Sequence, residues 1–367
     1  MTDTKKTLNE LTLKELSALL EYKRKQQHQL SGSKKILFTL TFFLILFGIV
    51  EGIGSYRKWK KEKKRQRDGA HRVDSPDETH YSLKPNSSGV LSGAEFHINS
   101  QGFRNPEFQM KKEKTRIVCV GDSLTFGWGA TDEQTYPFLL GKQLSEIEVI
   151  NGGVVGYNSK NLIRRLQEDI LPLQPDLVVC LIGWNNLREY VYGNLRPVPK
   201  PSHHWTDHFA SKWLLQETFN RLDRSLKISS RKGVQQTLKA SSSHWDWPFF
   251  PEYKKDLLQI KKICENANID FLFLSVPHFF GGTLTEKDQF KLLTITLGVD
   301  LSYQGWEKTI QEMNQIVQDV VGVDRFISIH SFVCQPSDFS DFCHPTPQSN
   351  QKIADFLAPE LLKRIKK

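Results

Sequence analysis

The sequence predicts an α/β protein: a three-layer α/β/α arrangement around a parallel five-stranded sheet, preceded by one N-terminal transmembrane helix. Three observations carry this reading. Short, nearly continuous apolar runs recur at 116–120, 148–151, 177–182, 270–275 and 326–329, as expected of strands covered on both faces. Helical stretches at 137–144, 159–170, 254–267, 307–320 and 349–364 lie between or after them, and strands alternating with helices give parallel order. The third observation is a charge-free run at 36–50 that continues through 52–56 after a single Glu51. At 1.5 Å per residue, 36–56 rises about 31 Å, the thickness of a bilayer's hydrocarbon core.

Residues 1–35 form a basic N-terminal segment with eight Lys/Arg against four acids. Leu8, Leu11, Leu16, Leu19 and Leu20 recur in it at helical spacing. The apolar run of 36–56 is bounded by Lys34-Lys35 and Arg57-Lys58-Trp59-Lys60-Lys61 and has no polar stripe, so it reads as an uncleaved anchor rather than a core helix. A cleavable signal would start near the N-terminus and end on small residues, whereas here 35 residues precede the run. Residues 57–98 turn basic and then rich in Ser, Pro and Gly, which reads as a linker.

Residues 99–367 read as one catalytic domain. Within it, 196–251 breaks the strand–helix rhythm and reads as an insertion at the rim of the site. It holds four tryptophans and the histidines His203, His204, His208 and His244. No compact metal-ligand spacing accompanies those histidines, so no metal or other cofactor is expected.

The formal charge of +9 is unevenly placed. Residues 57–72 carry nine basic against two acidic side chains. With both flanks and Glu51 set aside, 33 basic face 34 acidic residues over 73–367. A near-neutral body argues against nucleic acid as a partner. Cys119, Cys180 and Cys264 fall in predicted strands and a helix and read as small buried hydrophobes. Cys334 and Cys343 read equally as a disulfide in an oxidising space or as a pair of thiols.

The polar loops after the strands carry the chemistry. Gly121-Asp122-Ser123 follows the first, putting a hydroxyl at a strand's carboxyl end, where open α/β sheets hold ligands. Asn151-Gly152-Gly153-Val154-Val155-Gly156-Tyr157 follows the second, and glycine there lets a backbone N–H approach a ligand. Gly183-Trp184-Asn185-Asn186 follows the third and offers a side-chain amide. Asp341-Phe342-Cys343-His344 follows the last, supplying a base and an orienting acid from one turn of chain. Asp338 is a second candidate for that acid. Serine, base, acid and hydrogen-bond donors together are the parts of nucleophilic acyl transfer.

These four blocks, in this order, resemble the SGNH, or GDSL, hydrolase superfamily of esterases, lipases, thioesterases and carbohydrate deacetylases. The resemblance covers about residues 115–365 and implies a flavodoxin-like sheet. It implies Ser123 as nucleophile, His344 as base and Asp341 as orienter. The oxyanion would be held by the Ser123 N–H, the Gly153 N–H and the Asn185 side chain. The third block departs from the family's Gly-x-Asn-Asp, because Asn186 replaces the acid. The lead-in Asn99-Ser100-Gln101-Gly102-Phe103-Arg104 resembles membrane-anchored bacterial members, which hold this domain outside the cytoplasm. The basic count on the two sides of the anchor leans slightly the other way.

The expected activity is therefore ester hydrolysis by a single-pass membrane protein, with an acyl lipid or acylated glycan as substrate. Acyl transfer or deacetylation on envelope glycans, and a non-catalytic binding module of the same fold, are the competing readings.

Overall fold

The structure is a computed structural model that describes residues 17–18, 20–23, 32–68, 72–74, 81–187, 249–280, 284–285, 288 and 301–365. Most of the N-terminal helical segment and nearly all of the 196–251 insertion lie outside these residues. The chain divides into two compact units, an N-terminal one reaching Lys61 and a body beginning at Glu62.

In the N-terminal part, α1 (Gly32–Asp68) is a single helix. Its section Lys34–Arg57 has a mean hydropathy of 2.4 over its most apolar window, none of it covered by protein. This one helix is long and apolar enough to cross a membrane, by length and composition alone.

The body opens with strands where the sequence reads as linker. β1 (Arg72–Asp74) pairs antiparallel with β2 (Tyr81–Leu83), and β3 (Ser87–Leu91) forms a hairpin with β4 (Ala94–Ile98). Ser92 and Gly93 make the hairpin turn, both with positive φ. The polar composition of 72–98 concealed two short ladders whose inward residues, Leu83, Phe96 and Ile98, are buried.

The main sheet follows the expected strands within one to two residues. β5 (Arg116–Gly121), β6 (Glu148–Asn151), β7 (Leu177–Leu181), β8 (Asp270–Leu274) and β9 (Phe326–Ile327) run parallel in the order β6-β5-β7-β8-β9. The order reverses at β5, so the loops after β5 and its neighbours β6 and β7 meet at a switch point. Every residue of β5 and β7 is buried, which explains their unbroken apolar character.

Among the described residues, the α-helices of the body are α2 (Ser123–Phe126), α3 (Tyr136–Gln143), α4 (Ser159–Arg165), α5 (Phe250–Asn266), α6 (Tyr303–Val321) and α7 (Pro347–Ile365). The predicted helix 159–170 is regular only to Arg165; Leu166–Ile170 widens into a π-helical turn. The body is thus an SGNH-like fold.

Candidate active site

Ser123 opens α2 directly after β5. Asp122 caps that helix, its Oδ1 accepting the Leu124 N–H at 2.9 Å. Gly127 ends the helix in the left-handed region (φ 94°), and its N–H donates to the Ser123 carbonyl. A side chain there would be strained, and its Cβ would lie 2.4 Å from Thr135 Cγ2. The nucleophile candidate therefore sits on one short turn, fixed at both ends.

Its hydroxyl meets His344 across 221 residues of sequence. Ser123 Oγ lies 2.8 Å from His344 Nε2, and His344 Nδ1 lies 2.7 Å from Asp341 Oδ2. Asp341 Oδ1 also accepts the backbone N–H groups of Cys343 (3.0 Å) and His344 (2.9 Å). The spacing Asp-x-x-His thus closes a turn in which the acid orients both the ring and the chain that carries it. Burial alone would raise the Asp341 carboxyl. The hydrogen bond and charge of His344, with the two backbone donors, hold it below its ordinary value. Cys343 Sγ lies 3.6 Å from His344 Nδ1. Asp341, Cys343 and His344 form the one metal-like grouping among the described residues, but His344 Nδ1 and Asp341 Oδ2 are engaged with each other. No disulfide joins Cys334 to Cys343.

Asp338 serves elsewhere. It accepts from Lys352 Nζ (2.6 Å), Ser349 Oγ (3.2 Å) and the N–H groups of Cys334 and Gln335. It therefore ties the loop to α7 and is no rival to Asp341 as partner of His344.

The expected oxyanion donors sit on the neighbouring loops. Asn185 Nδ2 donates to the Tyr157 carbonyl at 2.9 Å and lies 3.4 Å from Asp122 Oδ2. The Gly153 N–H is engaged by Asn151 Oδ1 at 3.0 Å. What glycine provides at 153 is close approach: a Cβ would fall 2.3 Å from Phe126 N and 2.7 Å from the Thr125 carbonyl carbon, on the backbone of α2. Asn186, in place of the family's acid, accepts the Ser159 N–H (3.1 Å) and donates to Ser159 Oγ (2.7 Å), which in turn donates to Asp256. The amide thus adds to the Asn158 cap of α4, and the acid of this network stands instead at Asp256 on α5.

Three residues contribute in ways that the sequence, which marks Trp128 as pocket lining or core and places Arg104 and Asp122 only within motifs, does not show. Trp128 stacks on His344 with ring centroids 4.9 Å apart and planes 17° apart, and its backbone N–H donates to the Ser123 carbonyl. The indole covers one face of the imidazole. Buried Arg104 donates to the carbonyls of Phe126 (2.9 Å), Gly127 (2.8 Å) and Ala130 (2.7 Å) and pairs with Asp132 (2.7 Å). Asp122, fully enclosed, has its carboxyl pushed up to about 7 by burial, against the pull of the Leu124 N–H and of His344.

The sequence matches the GDSL-like lipase/acylhydrolase family over residues 119–352. The chain belongs to this family. It is an ester hydrolase. No curated protein matches. Solved structures that resemble it include a putative acylhydrolase of Bacteroides fragilis (14% identity, 69% of this chain and 89% of that one, TM-score 0.40). Others are an acetylxylan esterase of Geobacillus stearothermophilus (14%, 69% and 96%, TM-score 0.40) and an aryl esterase of M. smegmatis (16%, 68% and 99%, TM-score 0.42).

Proposed function

We propose that the protein is a membrane-anchored serine hydrolase acting through an acyl-enzyme, with Ser123 as nucleophile, His344 as base and Asp341 as orienter. The unbroken run of hydrogen bonds Ser123 Oγ–His344 Nε2 and His344 Nδ1–Asp341 Oδ2 carries the reading. Nε2 takes the hydroxyl proton as Oγ adds to the ester carbonyl carbon, and the carbonyl π pair moves to oxygen. The intermediate collapses with cleavage of the carbon–oxygen bond to the alcohol, which leaves with the proton from Nε2. Water then repeats the sequence: Nε2 takes its proton, hydroxide adds to the acyl carbon, and Ser123 Oγ departs with that proton. A carboxylate held below its ordinary range stays ionised throughout and balances the transient imidazolium.

The developing oxyanion needs donors aimed before the charge arrives. We assign the Ser123 N–H and Asn185 Nδ2. Asn185 Nδ2 reaches the oxyanion by giving up its long contact with Asp122 Oδ2 (3.4 Å). The Gly153 N–H joins only by giving up the shorter one to Asn151 Oδ1 (3.0 Å), so the reading rests on the first two.

The span Lys34–Arg57 supports single-pass anchoring. With the family resemblance of the lead-in, it favours a catalytic domain outside the cytoplasm and an acylated lipid or glycan near the membrane as substrate. Ser123→Ala tests the mechanism. Turnover of p-nitrophenyl acetate should fall by about 10³-fold or more, with the thermal midpoint kept. Turnover retained in that variant refutes the assignment.

A further inference from the structure

The family match begins at residue 119, yet the segment before it grips both polar loops of the site. Tyr81 Oη donates to the Val155 carbonyl and Tyr157 Oη donates to the Tyr81 carbonyl, each at 2.5 Å. The two rings meet edge to face, with centroids 5.3 Å apart. The Tyr157 carbonyl in turn accepts Asn185 Nδ2. A second grip lies at the nucleophile turn. Asn105 Oδ1 accepts the Asn151 N–H (3.2 Å), and Asn151 Nδ2 reaches the Phe126 carbonyl (3.3 Å). Arg104 holds that same carbonyl and its neighbour at Gly127.

We infer that the lead-in from Tyr81 to Asn105 is a positioning element of the active site, with Tyr81 aiming the Asn185 amide through Tyr157. The inference rests on the role given to Ser123 and Asn185 above. A terminal amide turns easily about its last torsion. One of its N–H groups is held by the Tyr157 carbonyl, so the other, which lies 3.4 Å from Asp122 Oδ2, is the one that can turn to an oxyanion. That carbonyl stays in place because the Tyr157 ring is fully buried and its hydroxyl is tied to the Tyr81 backbone. The Tyr81 hydroxyl fixes the other side of the same turn at Val155. Arg104 and Asn105 set the second half of the geometry, the distance from the glycine loop to α2.

Tyr81→Phe and Tyr157→Phe each delete one oxygen and keep the ring. The assay uses the full-length chain in detergent micelles, with competent sites counted by a fluorophosphonate. Loss of one such bond from the transition state should lower kcat per titrated site about three- to tenfold, with KM within about twofold. Affinity for an aryl boronic acid, whose tetrahedral adduct borrows the oxyanion donors, should fall by the same factor.

Unchanged kcat per titrated site in both variants overturns the inference. So does a loss of activity explained entirely by fewer titratable sites, which is the signature of a purely structural strap. Should Tyr157→Phe fail to fold, Tyr81→Phe alone decides, because its hydroxyl is half-buried at the edge. Failure of the fluorophosphonate to label Ser123 in the unmodified protein would instead overturn the underlying mechanism.

Discussion

Asp341→Asn is the sharpest perturbation of the site, because the hydrogen bonds of Asp341 dictate how the amide would turn. Asp341 Oδ1 accepts two backbone N–H groups, at 2.9 and 3.0 Å. An asparagine keeps its one carbonyl oxygen on those donors, since turning it away would set an NH₂ against two N–H groups. Its NH₂ then faces His344 Nδ1, where the carboxylate oxygen now accepts at 2.7 Å. Nδ1 must become the acceptor, so the imidazole carries its hydrogen on Nε2, 2.8 Å from Ser123 Oγ.

In that tautomer the ring donates to the serine and cannot take its proton. The same exchange in a serine-protease triad lowers kcat by about 10⁴, or about 5.5 kcal/mol at 1.36 kcal/mol per decade. Steady-state hydrolysis of p-nitrophenyl acetate near neutral pH measures it, with Asp341→Ala alongside. Asp341→Asn should be no more active than Asp341→Ala, and the thermal midpoints should stay close to that of the parent. An asparagine variant within tenfold of the parent would refute the tautomer reasoning.

Two further predictions concern the framework. Gly153→Ala puts a methyl on the backbone of α2, 2.3 Å from Phe126 N. Overpacking of this kind costs about 1–3 kcal/mol, so a thermal midpoint lower by several degrees and kcat reduced more than tenfold are expected; an unaltered kcat would show that the loop and α2 can part freely. His278 is buried and stacked on His330 at 3.8 Å, and burial first, then the charge of His330, holds it down to about 3. Between pH 6.5 and 3 the unfolded chain binds a proton that the native state refuses, so this stability is complete above 6.5 and drains away as pH falls. The loss reaches about 2–3 kcal/mol by pH 4.5. His278→Phe should therefore flatten the fall in thermal midpoint between pH 7 and 4.5, and parallel curves for parent and variant would contradict it.

The sheet was legible because its strands are covered on both faces, so β5, β7 and β8 are written as runs of apolar residues with no alternation to misread. Ser123, Asp341 and His344 were legible for a different reason: each lies immediately after a strand or within one turn of its partner, where local spacing reports geometry. The lead-in was legible at 99–104 as a resemblance, but its contacts with the site were not. Tyr81 bonds the Val155 carbonyl and the Tyr157 hydroxyl, 74 and 76 residues away, and nothing in a Ser/Pro/Gly-rich stretch marks such a contact. The contacts of Arg104 belong to the same class, since an arginine that satisfies four carbonyls looks in sequence like any surface cation. Gly153 was marked by its place in the motif, but the close approach to α2 depends on how two loops pack. The π-helical turn after Arg165 likewise left no trace in the periodicity of 159–170.

The central claim, that Ser123 is the activated nucleophile, is tested most directly by treating the full-length protein with a fluorophosphonate and mapping the adduct by peptide mass spectrometry. The account predicts one adduct, on Ser123, formed in step with loss of esterase activity and abolished by His344→Ala. An adduct on another residue, or full inactivation with Ser123 unmodified, would contradict it.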